Sequence, residues 1–208
     1  MAYFPVFTDI AQKTVLIIGG GKPALEKALR LQPFEPRMVV ISPQILPEIL
    51  TLPNVSGQYR NFSPEDLEIV PEFVIATGED RTENCRISEL CRQRRIPVNV
   101  VDDPPLCSFF FPALLAQGDL SIGICTAGKS PAAAVIIKEN IQALLPENVD
   151  TILEWSFHLR PLLRTRYPTF ALRRTVLRAL VSRAFSLNRP LTDPEMLDCL
   201  QEMDDLQS

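Results

Sequence analysis

Histidine and tryptophan each occur once in these 208 residues, and none of the five cysteines falls in a C-x-x-C pair. A lone histidine cannot build a histidine-based metal cluster, and His158 lies in a helical, arginine-rich stretch, where a surface or packing role is expected. Cys85, Cys91, Cys107, Cys125 and Cys199 are scattered. That spacing suits neither a zinc site nor a disulfide framework, so no metal site is expected. Reduced, mostly buried thiols in a cytoplasmic protein are expected instead. No apolar run approaches the roughly 20 residues of a membrane span. The start, Met1-Ala-Tyr-Phe-Pro-Val-Phe, lacks a basic region followed by an apolar one, so neither a span nor a secretory signal is expected. An excess of positive charge is missing too: 21 Lys and Arg against 25 Asp and Glu leave a net charge of −4, which argues against a general nucleic-acid binder. Internal repeats and low-complexity linkers are likewise absent.

What is present is a core of ordinary size for a globular protein, with 46% hydrophobic residues. The length exceeds one small mononucleotide fold and falls short of two full domains. One nucleotide-binding domain with a smaller appendage fits it. The most informative stretch is Thr14-Val-Leu-Ile-Ile-Gly-Gly-Gly-Lys-Pro-Ala-Leu-Glu-Lys27. An apolar strand runs into three glycines and then into a helix-compatible segment. Gly19 permits the tight turn, Gly21 lets backbone approach a pyrophosphate, and Ala24 takes the third small position of G-x-G-x-x-G/A. The helix start offers unpaired N–H groups and a positive dipole end to an anion. Pro23 near the first helical position costs little, because an N–H there has no partner in the helix.

Further along, strands are expected at Arg37-Met-Val-Val-Ile-Ser42, near Val55–Tyr59, at Glu72–Thr77 and at Pro97–Asp102. An N-capped turn is expected at Ser63-Pro-Glu-Asp-Leu and a helix through Thr82–Arg94. Strands and helices alternate, and the strand runs are apolar throughout, which calls for a parallel sheet covered on both faces. The second strand ends at Ser42-Pro43, where the usual dinucleotide fold places an acid for the adenosine ribose; the nearest downstream acid is Glu48. The choice between NAD and NADP is therefore open at this position. After Asp102-Asp-Pro-Pro the pattern changes. A strongly apolar Ser108–Leu115 precedes a turn at Gly118-Asp119, a strand at Leu120–Cys125 and a helix from Pro131 to about Leu145. From Val149 everything reads helical, rich in arginine, with an acidic tail.

Taken in order, several segments resemble the precorrin-2 dehydrogenase module of siroheme synthases, from about Pro5 to Arg183. The resemblance is carried by Ile18-Gly-Gly-Gly21 with Ala24 and Lys27, by Ala76-Thr77 with Asn84, by Val98-Asn-Val-Val-Asp-Asp103, by Ser108-Phe with Pro112, and by Thr126-Ala-Gly-Lys-Ser-Pro131. It implies an α/β Rossmann-type parallel sheet domain over residues 1–112, a small α+β dimerisation domain over 113–148 and a C-terminal helical module over 149–208. It implies NAD as cofactor, a homodimer, no nucleic-acid or membrane partner, and oxidation of the tetrapyrrole precorrin-2 to sirohydrochlorin. Gly19, Gly20, Gly21, Lys22 and Pro23 would then face the pyrophosphate. Ser42 and Pro43 would flank the adenosine, Thr77 would lie close to the cofactor, and Asp102 would match the aspartate of dehydrogenation. Three departures stand out: Pro23 for a small aliphatic residue, Glu35-Pro36 for Gly-Ala, and Val135 for an arginine.

Each assignment has a plainer counterpart. Asp102 either takes up a proton or steadies positive charge on the pyrroles, or with Asp103 it caps the turn before Pro104-Pro105. In Thr126–Pro131 the helix start, with Thr126, Lys129 and Ser130, either meets a substrate carboxylate or is a turn at Gly128 with Ser130 as cap. The arginines at 160, 164, 166, 173, 174, 178 and 183 either meet substrate carboxylates or are solvated and paired with the acidic tail. Two other functions stay open: a bifunctional dehydrogenase and ferrochelatase, and a non-catalytic nucleotide sensor or scaffold of the same fold.

Overall fold

Apolar residues at successive strand positions, rather than at alternate ones, require a sheet buried on both sides. A computed structural model, describing residues 4–205, has that arrangement. Strands β1 (Thr14–Ile18), β2 (Arg37–Ile41), β3 (Val55–Gln58), β4 (Phe73–Ala76) and β5 (Val98–Val100) pair in parallel in the order β3-β2-β1-β4-β5. Thr14 is in register with Arg37 and Ile18 with Ile41, while Ile18 also pairs with Ala76. Val15 and Ile17 point into one core layer with Ala24, Ala28 and Leu31 of helix α1 (Lys22–Leu31) and with Ile49 of the short α2 (Pro47–Leu50). Leu16 and Ile18 point the other way, into a layer with Ile87 and Cys91 of α3 (Arg81–Gln93). The expected Rossmann-type sheet is therefore present.

The fifth strand is shorter than its apolar run suggests. It stops at Val100 because Asp102 takes a left-handed conformation, with φ +60°. As an edge strand it would expose unpaired backbone groups. The following segment covers them. Ser108 N–H donates to Val98 O at 2.8 Å, Ser108 Oγ accepts from Val98 N–H at 2.8 Å, and Cys107 Sγ accepts from Val100 N–H at 3.2 Å. The turn expected at Ser63 is a short 3-10 helix over Pro64–Leu67, and the Asp66 carboxylate accepts from Ser63 N–H at 2.8 Å.

By its internal contacts the chain divides into two units. The first runs to Pro112 and includes Cys125–Ser130; the second comprises Ala113–Ile124 and the chain from Pro131 onward. The segments 113–148 and 149–208, given separate roles above, thus contribute to one unit. In it, β6 (Ala113–Gln117) and β7 (Leu120–Ile124) form an antiparallel hairpin whose turn uses Gly118 at φ +53°. The strand β6 is not evident in the sequence, where that stretch is merely apolar. Helices α4 (Pro131–Leu144), α5 (Val149–Arg166), α6 (Phe170–Ser186) and α7 (Asp193–Asp205) follow, and the last three share a core of Ile152, Leu163, Val176, Leu180 and Leu200. Among the described residues no helix is long and apolar enough to cross a membrane.

Candidate functional site

From β1 the chain builds outward through β2 and β3, then returns to add β4 and β5 on the other side. Open α/β sheets bind ligands at such a reversal, beyond the carboxyl ends of the strands. Three consecutive glycines occupy it, each under a different constraint. Gly19 has φ +111°, and a Cβ there would overlap Thr77 Oγ1 and lie 3.2 Å from the Thr77 carbonyl carbon. Thr77 has little room to yield, since its N–H and its hydroxyl both donate to Ile18 O, at 2.8 and 3.1 Å. Gly20 is buried; a Cβ would overlap Gln44 O and come within 2.7 Å of Ile45 Cα. Leu46 N–H donates to Gly20 O at 2.9 Å and closes that approach.

Gly21 differs. A Cβ there meets only Pro23 Cδ, at an ordinary 3.7 Å, and its backbone is extended. Among the described residues nothing fills the space of its missing side chain, which leaves the backbone there open to close approach. Gly21 is also the N-cap of α1. It supplies no side-chain cap, the first turn holds no acid, and Pro23 sits at the helix start as expected. Lys22 and Pro23 are exposed. A helix N-terminus with uncapped N–H groups, no carboxylate and an adjacent lysine is chemically matched to a pyrophosphate. The residues present therefore fit a dinucleotide.

At the exit of β2, Ser42 N–H donates to Gln58 O at 3.1 Å and Ser42 Oγ accepts from Gln44 N–H at 3.4 Å; Pro43 is exposed. Beyond β4, the buried Asn84 donates through Nδ2 to Gly78 O at 2.8 Å and so holds the loop that follows Thr77. Residue chemistry alone assigns Asn84 no part; an amide in the first turn of a helix after a buried strand is its only local signal.

The two acids after β5 have separate surroundings. Asp103 pairs with Arg81 Nε at 2.8 Å, which makes it a structural anchor. Asp102 is exposed, in its left-handed turn. Lys27 of α1 is close enough to feel its charge. Burial lowers the Lys27 pKa from the usual lysine range; Glu26 opposes that shift, Arg30 adds to it, and Asp102 opposes it. The Lys27 ammonium lies 5.2 Å from the centre of the Phe111 ring, which packs with Phe109 and Phe73. Among the described residues no group of three His, Cys, Asp or Glu side chains is arranged to hold a metal ion.

Thr126–Ser130 forms a tight left-handed turn, with Ala127 at φ +54° and Gly128 at φ +77°. Thr126 closes it: its hydroxyl accepts from Ser130 N–H at 3.3 Å and donates to Ser130 O at 3.0 Å. Lys129 is exposed and its N–H donates to Thr126 O at 3.0 Å. Of the arginines, Arg166 pairs with Asp204 and Arg183 with Glu202, both from the acidic tail, while Arg173 donates to Tyr167 O and Pro168 O. For Arg166 and Arg183 the pairing with the acidic tail describes what the side chains do, whereas Arg173 holds the backbone just before α6. His158 is a surface residue, 3.9 Å from Glu154. The thiols depart from expectation: all five are free, but only Cys91 and Cys199 are buried, and Cys125 is exposed. Cys125 follows a half-buried β-hairpin rather than a core strand.

Comparison with known proteins agrees with this geometry. A family model described as "Putative NAD(P)-binding" matches residues 6–113. Siroheme synthase of Thioalkalivibrio sulfidiphilus is 33% identical over 177 residues, covering 84% of this chain and 36% of that protein. Siroheme synthase of Zymomonas mobilis is also 33% identical over 177 residues, covering 84% and 37%. The chain thus spans little more than a third of the length of these relatives. A solved structure titled SirC, precorrin-2 dehydrogenase, superposes with a TM-score of 0.69 at 19% identity, over 98% of this chain and 100% of that one. At that identity the likeness is one of fold.

Proposed function

The chain belongs to the NAD(P)-binding family, among relatives of the siroheme synthase N-terminal module, and we propose from that premise that it oxidises precorrin-2 to sirohydrochlorin with NAD. One observation carries the reading. The reversal point of the sheet ends in an uncapped, acid-free helix start at Gly21, and an exposed carboxylate, Asp102, stands at the carboxyl end of β5 in the same sheet. In this reading Gly19, Gly20, Gly21, Lys22 and Pro23 hold the pyrophosphate, Ser42 and Pro43 flank the adenosine, and Thr77 borders the cofactor.

A bound NAD supplies the acceptor for the hydride. The substrate loses a hydride and a proton, and Asp102 is the group that takes up the proton or steadies the positive charge on the pyrroles as it departs. Its turn is held by the contacts of Cys107 with Val100 and Asp103, so the carboxylate projects from a defined backbone. Thr126, Lys129 and Ser130 are assigned to the substrate's carboxylates. Lys129 supplies charge, and the Thr126 hydroxyl, already bonded to both backbone groups of Ser130, keeps the turn in shape.

We also assign the protein to the cytoplasm, on its five free thiols, and to a homodimer. Val135, Ile136 and Ile137 on α4 are 44%, 57% and 43% exposed, and the neighbouring β6–β7 ladder has only two strands. Apolar surface and open strand edges of this kind suit a second copy.

The test is an anaerobic assay of precorrin-2 with NAD and with NADP. The expected result is the spectral change to sirohydrochlorin with one NADH formed per substrate. Asp102→Asn is expected to keep NAD binding and to lose about 100-fold or more in turnover, the usual scale for a proton-transferring group. A protein that changes neither the substrate spectrum nor NAD overturns the proposal.

A further inference from the structure

The exit of β2 has Ser42 where dinucleotide folds that select NAD usually place an acid for the ribose 2′-hydroxyl, and those that select NADP place an arginine for the 2′-phosphate. The chain just past the neighbouring strand β3 brings the backbone of an arginine, Arg60, to this corner. Ile41 is in register with Gln58, and the N–H groups of Ser42 and Arg60 both donate to Gln58 O, at 3.1 and 3.0 Å. The backbones of Ser42 and Arg60 therefore meet at one atom.

That guanidinium is already engaged. Arg60 Nη1 donates to Asp66 Oδ2 at 2.8 Å and to Asn61 O at 3.0 Å, and Nη2 contacts both Asp66 Oδ1 and Gln58 Oε1. The fork-to-fork geometry is the strong form of the Arg–carboxylate pair. Asp66 is itself anchored: it accepts from Ser63 N–H at 2.8 Å, and its side chain is only 10% exposed, against 43% for Arg60. The carboxylate is thus tied to the fold by Ser63, and the guanidinium is the more accessible partner.

We propose that the Arg60–Asp66 pair sets the dinucleotide preference: Asp66 withholds Arg60 from the adenosine corner, so a 2′-phosphate finds no free cation there and NAD is chosen over NADP. This rests on the reading of the glycine turn as a dinucleotide site. A 2′-hydroxyl needs no cation and is served by Ser42. A 2′-phosphate would have to displace a half-buried carboxylate that also accepts from Ser63 N–H to obtain its arginine.

The experiment measures NADH and NADPH affinity by reduced-nicotinamide fluorescence for the full chain and for Asp66→Asn, Asp66→Ser and Asp66→Asn with Arg60→Ala. Circular dichroism checks that each variant is folded. The unaltered protein is expected to bind NADH more tightly. Asp66→Asn keeps an oxygen for Ser63 N–H while releasing Arg60, and should tighten NADPH about tenfold with NADH nearly unchanged, a typical gain for a charge-assisted phosphate contact. Asp66→Ser should act in the same direction, and adding Arg60→Ala should erase the gain. The inference is overturned if the unaltered protein prefers NADPH, if folded Asp66 variants keep the original preference, or if the gain survives loss of Arg60. Failure of the unaltered protein to bind either dinucleotide would instead overturn the site reading, and this inference with it.

Discussion

Two of the glycines at the sheet reversal differ in what they serve, and alanine separates the roles. Gly19 combines φ +111° with a side-chain position already taken by Thr77. Gly19→Ala is expected to cost about 1–3 kcal/mol or more in urea unfolding, the scale of backbone strain at a non-glycine residue, and to lose the dinucleotide as well. Gly21 is extended with open space at its Cβ position. Gly21→Ala should leave stability within about 1 kcal/mol, or raise it slightly by restricting the unfolded chain, yet weaken NADH binding at least about tenfold, since the methyl would enter the surface proposed above for the pyrophosphate. Equal losses of stability in both variants would refute the distinction. The spacing of the glycine motif makes the tight turn at Gly19 legible in the amino-acid sequence. It does not reveal why Gly20 is glycine, because Gln44 and Ile45, which press on it, are brought there by the crossover to β2. Burial likewise sorts the thiols. It pushes the Cys91 thiol up to about 11, whereas Cys125 is exposed. A thiolate reagent near pH 8 should label Cys125 in seconds to minutes and leave Cys91 untouched until the protein unfolds, as peptide mapping would register.

Elements that bury a continuous apolar run or a full helical face are readable from sequence, and those that depend on a partner segment are not. The strands β1, β2 and β4 and the helices α1 and α3 fall where their residue patterns place them, since their own residues supply the core layers. The four-residue α2 carries no such signal, because Pro47–Leu50 contains too few positions to show a period; Ile49 is its buried anchor, with Leu50 packed beside it. β6 looks merely apolar because a two-stranded hairpin with intermediate burial on both faces leaves no clean alternation. At the site, the helix start of α3 illustrates local chemistry that survives folding. Asp80 accepts from Thr82 N–H at 2.8 Å, and the same turn places Asn84 on Gly78 O. Asp80→Ala should cost about 1 kcal/mol of stability, as for loss of an N-cap. Chemical denaturation measures that figure, and a change under about 0.3 kcal/mol would mean the cap is replaced by water.

Both units have apolar cores, but only α7 is also tied down by several carboxylates, and acid should tell α7 apart from the sheet. In the sheet-bearing unit, β1 and β4 rest on apolar layers that do not titrate in acid, and the depressed carboxylate Asp66 holds the turn after β3 instead. In the helical unit, α7 is tied down by carboxylates. Asp204 accepts from Arg166 at 2.6 Å and from the Tyr167 hydroxyl at 2.8 Å, and these contacts, Arg166 foremost, hold its pKa below the usual carboxylate range. Glu195 is held far below that range by Arg189, then by the N–H and hydroxyl of Thr192. A carboxylate whose pKa is depressed by folding binds fewer protons in the native state than in the unfolded one. Its stabilisation is present at neutral pH, above the unfolded value, and is lost as pH falls through the folded value. On acidification from pH 7, amide exchange is therefore expected to quicken in α7 while β1 and β4 remain protected. Asp204→Asn, which removes one titrating anchor, should quicken α7 already at neutral pH and flatten that dependence. Loss of protection in β1 and β4 at the same pH as in α7 would mean that the two units unfold as one cooperative body, and that the charges of α7 do not govern the acid response.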